Sequence, residues 1–129
     1  MNQCHFIGRF VSDPQLKSVD KIDGKNTSVC NFKLAISRRF KKTNGEIGTQ
    51  TVFLAFEIWD TGAEVVCKSF NKGDLIIVHC SARVNAYRDK ESGRQLEQVV
   101  FRVNDFEFPS SMGIPKQPHS EDILPSEDN

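Results

Sequence analysis

The sequence has no apolar run that approaches the roughly 20 residues a membrane helix needs. Its first ten residues, MNQCHFIGRF, lack the charged region and the apolar region of a secretory signal peptide. Its four cysteines include no C-x-x-C pair and no other short ligand spacing. These absences predict a soluble intracellular protein whose thiols stay reduced.

Side chains that could carry out catalysis or bind a metal are also scarce. Cys4 adjoins His5 and His79 adjoins Cys80, but neighbours on a strand point to opposite faces, so neither pair can chelate one ion. A cross-strand site with one member of each pair stays open, although buried thiols without metal are the favoured interpretation. No histidine has a Ser or Cys near it in a recognisable nucleophile arrangement, and there is no glycine-rich phosphate loop. We therefore expect no enzymatic activity, no cofactor and no metal.

The sequence also lacks net charge, with 17 basic and 17 acidic residues, but the two signs are segregated. Residues 1–104 carry 16 basic and 11 acidic side chains, whereas residues 105–129 carry one basic and six acidic side chains. Between Asp23 and Glu46 there is no acid at all, and there are six cations. This distribution predicts an anionic partner for the body of the chain.

Apolar patterning predicts an all-β fold with one helix. Five segments have strand character: 3–11, 29–40, 50–59, 74–87 and 95–105. Between the third and fourth, Thr61 and Glu64 have capping-box spacing before a helical apolar pattern, and Gly73 is expected to end the helix. This order matches the five-stranded OB barrel with a helix between strands 3 and 4. We expect this domain to span 1–108 and a flexible acidic tail to span 109–129, which is rich in Pro and Ser.

Alternation assigns faces to the strands. On 50–59 it places Val52, Leu54, Phe56 and Ile58 inward, and Phe53, Ala55, Glu57 and Trp59 outward. On the last strand it buries Val99, Phe101 and Val103. Two large rings on an outward face are unusual, because that face of a half-exposed sheet is ordinarily polar.

Three segments bring an outward ring close to cations. They are SRRFKKTNGE around Phe40, the strand with Phe53 and Trp59, and the segment in which Tyr87 precedes Arg88 and Lys90. Rings interleaved with Lys and Arg suit single-stranded nucleic acid, because bases stack on the rings and cations contact the phosphates. A solvated hairpin explains the charges alone equally well, and either Phe53 or Trp59 taken singly could pack under the helix or in a subunit interface.

Several motifs resemble bacterial-type single-stranded-DNA-binding proteins, including their phage and mitochondrial relatives. They are FIGRFVSDPQL at 6–16, FKLAIS at 32–37, QTVF at 50–53, Ala63-Glu64 and Lys72-Gly73-Asp74. The resemblance spans about residues 2–106. It implies binding of single-stranded DNA without sequence preference in replication, recombination and repair, and self-association as a homotetramer.

The resemblance also implies that bases stack on Phe40, Phe53, Trp59 and Tyr87. The cations expected in the same site are Arg9, Lys33, Arg38, Arg39, Lys41, Lys42, Lys72, Arg83, Arg88, Lys90 and Arg94. The chain departs from the family where Asp60-Thr61 replaces a common Gly-Lys, and it ends in Ser-Glu-Asp-Asn rather than an apolar Pro-Phe. Recruitment of replication and repair proteins through the tail therefore stays open.

Alternative functions remain at this stage. An OB-fold protein that binds RNA or acts as a primosome accessory has the same features, and a protein-interaction OB module could use the rings as an interface. For the favoured function, the expected location is the cytoplasm in association with the nucleoid, or the host cytoplasm if the chain is viral.

Overall fold

The structure, a computed structural model, describes residues 1–20 and 23–109. Its elements in chain order are β1 Cys4–Phe10, β2 Gln15–Asp20, β3 Asn26–Lys41, β4 Ile47–Trp59, α1 Asp60–Ser69, β5 Leu75–Arg88 and β6 Gln95–Glu107. Of the described residues, no helix is long and apolar enough to cross a membrane. The predicted tail lies outside the described residues from position 110 onwards.

The strands form one sheet that closes on itself. Their order is β1-β5-β6-β4-β3-β2, and an additional pairing of β1 with β3 closes a five-stranded barrel. The pairing of β4 with β6 is parallel, and the other pairings are antiparallel. The helix lies between β4 and β5 in the chain, so the predicted OB barrel is confirmed.

The barrel core is rich in phenylalanine. Alternating positions of β3 and β4 bury Phe32, Leu34 and Phe56, and the rings of Phe32 and Phe56 stack with centroids 5.6 Å apart. The helix contributes Val66, which is fully buried, and Phe70 follows it at the helix end. This packing fixes which face of each strand points inward, and therefore which face is left for a ligand.

One strand was not predicted. Within the part of the chain that the structure describes, β2 pairs only with β3, at the edge of the sheet, and all six of its residues are exposed. Because neither face of β2 is buried, the segment QLKSVD carries no alternating apolar pattern for sequence analysis to detect.

The predicted helix boundaries were wrong at both ends. The helix begins at Asp60 directly after β4, with Trp59 at the N-cap position and no side-chain capping hydrogen bond, so Thr61 and Glu64 form no capping box. It ends at Ser69, where the Phe70 N–H donates to the Val66 carbonyl. Gly73 lies beyond the helix with φ of 90°, and its N–H donates to Phe10 O in β1.

Two hairpins extend past the barrel as two-stranded ribbons, the β3–β4 ribbon (36–52) and the β5–β6 ribbon (84–99). Along these ribbons, the side chains on the inward face of the strands lose contact with the barrel core. Val52 and Val99, predicted to be buried, are 43% and 53% exposed. Conversely, Glu57 was predicted to face outward but is buried, since it pairs with Arg102 of β6.

Candidate nucleic-acid interface

Four strands share one outward surface, called here the outer face. On β3 and β4 the register sets Lys33 opposite Ala55, and Ala35 opposite Phe53. The parallel pairing of Phe56 with Phe101 joins β4 to β6, and β6 carries the face on to β5. The outer-face positions of β5 and β6 pair Arg83 with Val100, Asn85 with Gln98, and Tyr87 with Leu96. The outer face therefore brings together Lys33, Phe53, Arg83 and Tyr87 of the predicted site.

A groove of about 460 Å³ crosses the outer face. Ala55 and the buried Val100 line it with small apolar side chains. Polar side chains also line it, Asn31 and Lys33 from β3 and Asn85 and Gln98 from the other hairpin. A small apolar floor between amide and ammonium groups suits a flat ring that has polar edges.

Phe53 lies in the β3–β4 hairpin and Tyr87 in the β5–β6 hairpin, and both hairpins line this groove. Phe53 is 63% exposed and Tyr87 is 50% exposed, and neither ring has a cation or another ring stacked on it among the described residues. Exposed rings on one face are available to stack with unpaired bases.

Phe40 does not share the outer face. It pairs with Gly48, and alternation places it with Arg38 on the opposite side of the β3–β4 ribbon. Its ring covers Gly48, where an added Cβ would lie 2.7 Å from the Phe40 Cζ, and the Arg38 Cζ lies 5.7 Å from the ring centroid. The ribbon therefore divides the cationic stretch of the sequence between its two sides. Arg39 and Lys41 face outward, and Lys42 follows β3 next to the Phe40 ring.

Trp59 lies at the end of the outer face in a polar cluster. Its Nε1 donates to Glu57 Oε2 at 3.2 Å, and the Arg102 Nε donates to the same oxygen at 2.7 Å. The Arg102 Cζ lies 5.5 Å from the centroid of the Trp59 ring, in cation–π contact. Sequence analysis missed Arg102 and the burial of Glu57. Alternation could have found Arg102, because it has the opposite parity to the core residues Phe101 and Val103.

The other predicted cations are spread around the barrel. Arg9 pairs with Ala35 on the outer face, but its Nη1 donates to Gly73 O at 3.0 Å. Lys72 lies in the turn before β5, where its backbone N–H donates to Asp13 Oδ1. Arg88, Lys90 and Arg94 lie at the tip of the β5–β6 hairpin, where the Arg88 Nη1 donates to Gly93 O.

That tip is held by Asp89. The Ser92 hydroxyl donates to Asp89 Oδ2 at 2.7 Å and the Glu91 N–H donates to Asp89 Oδ1 at 3.3 Å. These hydrogen bonds hold the pKa of the Asp89 carboxyl below its ordinary value. The cations of the tip are therefore carried on an ordered turn.

The paired Cys and His residues adjoin each other across β1 and β5. Cys4 lies opposite Cys80 and His5 opposite His79, with the two Nδ1 atoms 2.7 Å apart and His79 Nε2 2.6 Å from Glu107. Burial raises the pKa of the Cys80 thiol to about 11. In residues 1–20 and 23–109, no group of three or more His, Cys, Asp or Glu side chains is placed to hold a metal.

Comparison with known proteins identifies relatives over nearly the whole described chain. The model of the "Single-strand binding protein family" matches residues 1–109. Single-stranded DNA-binding protein 1 of Clostridium acetobutylicum is 34% identical over 101 residues, which cover 78% of this chain and 87% of that protein. Single-stranded DNA-binding protein 1 of Synechocystis sp. is 31% identical over 108 residues, which cover 84% of this chain and 83% of that protein.

A solved structure has the same fold. A crystal structure of a deletion mutant of the single-stranded DNA binding protein from Thermus aquaticus matches with a TM-score of 0.66 at 19% identity. The match covers 83% of this chain and 49% of the deletion mutant, so the matched part spans about half the length of that mutant chain.

Proposed function

Because the chain belongs to the single-strand binding protein family, we propose that it binds and protects single-stranded DNA during replication, recombination and repair. The affinity depends little on base sequence, because base stacking and phosphate contacts supply most of the binding free energy and every base offers them. The protein acts by binding and not as an enzyme, and it works in the cytoplasm as a self-associated homotetramer.

One observation carries this proposal, the placement of exposed rings and cations on a single face. Phe53 and Tyr87 offer stacking surfaces on the two hairpins, and Lys33 and Arg83 lie on the same face near the groove. A strand that crosses the outer face can stack its bases on the rings while its phosphates contact the ammonium and guanidinium groups. A duplex cannot do so, because its bases are already stacked and paired.

The class of partner is tested by titrating the full chain into labelled oligo(dT), labelled oligo(rU) and a labelled DNA duplex of equal length, with fluorescence anisotropy as the measurement. Oligo(dT) should bind tightly, and a duplex of equal length should bind weakly and only at low salt. If oligo(rU) binds better than oligo(dT), the protein is an RNA-binding relative. If none of the three binds, the proposed function fails, and a protein-interaction module is the alternative that is left to test.

Ring substitutions test the mechanism. Replacing Phe53 or Tyr87 by Leu keeps an apolar side chain but removes the stacking surface, so each change should weaken oligo(dT) binding by about 1–3 kcal/mol. Phe40→Leu provides the matched control, because that ring lies on the other side of the ribbon and covers Gly48. Its effect on affinity should be smaller than either of the others. Equal losses for all three variants, with unchanged melting temperatures, would mean that the strand does not follow the outer face.

A further inference from the structure

A second cavity, of about 380 Å³, opens where β4 meets the helix. It is lined by Thr27, Trp59, Asp60, Arg102 and Val103. Only Trp59 among these belongs to the predicted site. The Trp59 ring can contact the flat face of a ligand, and the polar side chains of the lining can form hydrogen bonds with its edge.

The charge of this cavity disfavours a phosphate. Arg102 is its cation, but its Nε donates to Glu57 Oε2 at 2.7 Å, and Glu57 is buried. Asp60 adds a second carboxylate to the lining. With one guanidinium and two carboxylates close together, an anion would meet net repulsion. The cavity therefore suits a neutral ring that can stack.

Asp60 is positioned as a hydrogen-bond acceptor. Its backbone has φ of 59°, a left-handed conformation that few residues other than glycine adopt and that Asp tolerates. The buried Thr27 donates its hydroxyl hydrogen to Asp60 Oδ1, which orients the carboxylate. Among the described residues Asp60 has no other hydrogen-bond partner, so its second oxygen can accept from a ligand.

We propose that this cavity binds one nucleobase and that Asp60 favours bases with an exocyclic amino group, namely cytosine, adenine and guanine, over thymine and uracil. The inference rests on the proposed function, and it adds a modest base preference to binding that tolerates any sequence. The base stacks on the Trp59–Arg102 pair, and its amino group donates to the Asp60 carboxylate. Thymine and uracil have no amino group, and their N3–H lies between the carbonyl oxygens at C2 and C4, which the carboxylate repels.

The test compares deoxycytidine and deoxyuridine homopolymers of equal length at neutral pH, because these two bases differ at C4, where one has an amino group and the other a carbonyl. The full chain should bind the deoxycytidine polymer about fivefold more tightly for one such hydrogen bond. Asp60→Asn keeps the shape, and Asn also tolerates the left-handed backbone. Its amide can donate to the uracil carbonyl, so the ratio of the two affinities should fall to about one or reverse.

Glu91→Gln is the matched control. It removes the same charge from the hairpin tip outside the cavity, so it should change both affinities together and leave their ratio unchanged. Thr27→Val should also lower the ratio, because it removes the hydroxyl that orients Asp60. If Asp60→Asn retains its melting temperature and the ratio stays at the full-chain value, the base preference is refuted while the proposed function stands. If neither polymer binds at all, the proposed function itself fails.

Discussion

At the scale of single residues, the rings of the outer face differ in what already touches them. Phe53 and Tyr87 are at least half exposed, whereas Trp59 carries the Arg102 guanidinium over its ring and donates its Nε1 hydrogen to Glu57. Glu57 is buried and accepts both hydrogen bonds on one oxygen. The three side chains therefore act as one unit, and changing one alters the other two.

The stability of that unit is testable. Arg102→Leu removes the cation beside a buried carboxylate, and leaving a buried polar group poorly satisfied costs about 1–3 kcal/mol of unfolding free energy. Arg102 is 37% exposed at its side chain, so water that enters the site should keep the loss at the low end. Urea unfolding followed by Trp59 emission measures the change.

The double variant Glu57→Leu/Arg102→Leu is the control for this prediction. It replaces both charges by apolar side chains, and buried pairs exchanged in that way often cost little. The double variant should therefore be more stable than Arg102→Leu alone. Additive losses would show that the two side chains do not interact.

The alternation of side chains along each strand explains which residues of the site could be predicted from the sequence. Phe53 and Tyr87 were predicted as stacking rings, and both lie exposed on the outer face. Phe40 was counted among the outward rings, but it has even numbering like the core residues Phe32 and Leu34, so strict alternation along β3 would have assigned it to the other side. The pairing of Glu57 with Arg102 could not be predicted, because it depends on the parallel contact between two distant strands.

At the scale of elements, apolar alternation located the barrel strands but not their limits. β1, β3, β4, β5 and β6 overlap the five predicted segments because one face of each enters the core. β2 was missed because both of its faces are exposed, and the ribbons carry alternation past the point where a core exists. Val99 illustrates this, since its apolar character gives no information about where the barrel ends.

The stability of the turn at the β5–β6 hairpin tip should depend on pH, because Asp89 holds that turn through hydrogen bonds. Its pKa lies below the ordinary 3.8, so its hydrogen bonds stabilise the tip above that value and are lost as pH falls through the lower folded pKa. Ser92→Ala removes the largest cause of the shift, so the Asp89 pKa should rise towards 3.8, as measured by NMR of the side-chain carboxyl. Ser37→Ala, which removes a hydroxyl bonded to Thr51, should leave Asp89 unchanged. A pKa that stays low in Ser92→Ala would assign the shift to the backbone donors.

At the scale of the whole molecule, several cations share the outer face. The net charge of the sequence is zero, yet Lys33, Arg39, Lys41 and Arg83 all occupy outer-face positions. Because clustered charge creates a local field, a chain of this composition can still attract a polyanion.

Salt dependence measures how many of those cations contact phosphates. The logarithm of the binding constant should fall with the logarithm of salt concentration by about 0.7 per contact for single strands. Lys33→Gln combined with Arg39→Gln should flatten this slope. Lys68→Gln, in the last turn of the helix, removes one exposed cation away from the outer face and should leave the slope unchanged. If the affinity falls while the slope stays constant in the Lys33/Arg39 variant, the cations act through folding and not through phosphate contact.

The strand order also dictates when the fold can be completed. β6, the last strand among the described residues, lies between β5 and β4 in space, so during synthesis the barrel stays open until residues 95–107 have left the ribosome. Until then the inner edges of β4 and β5 are unpaired, which makes nascent chains prone to associate with one another. Slow translation of residues 95–107 would lengthen the time for which these edges are exposed, so the rate at which β6 is synthesised should affect the yield of folded protein.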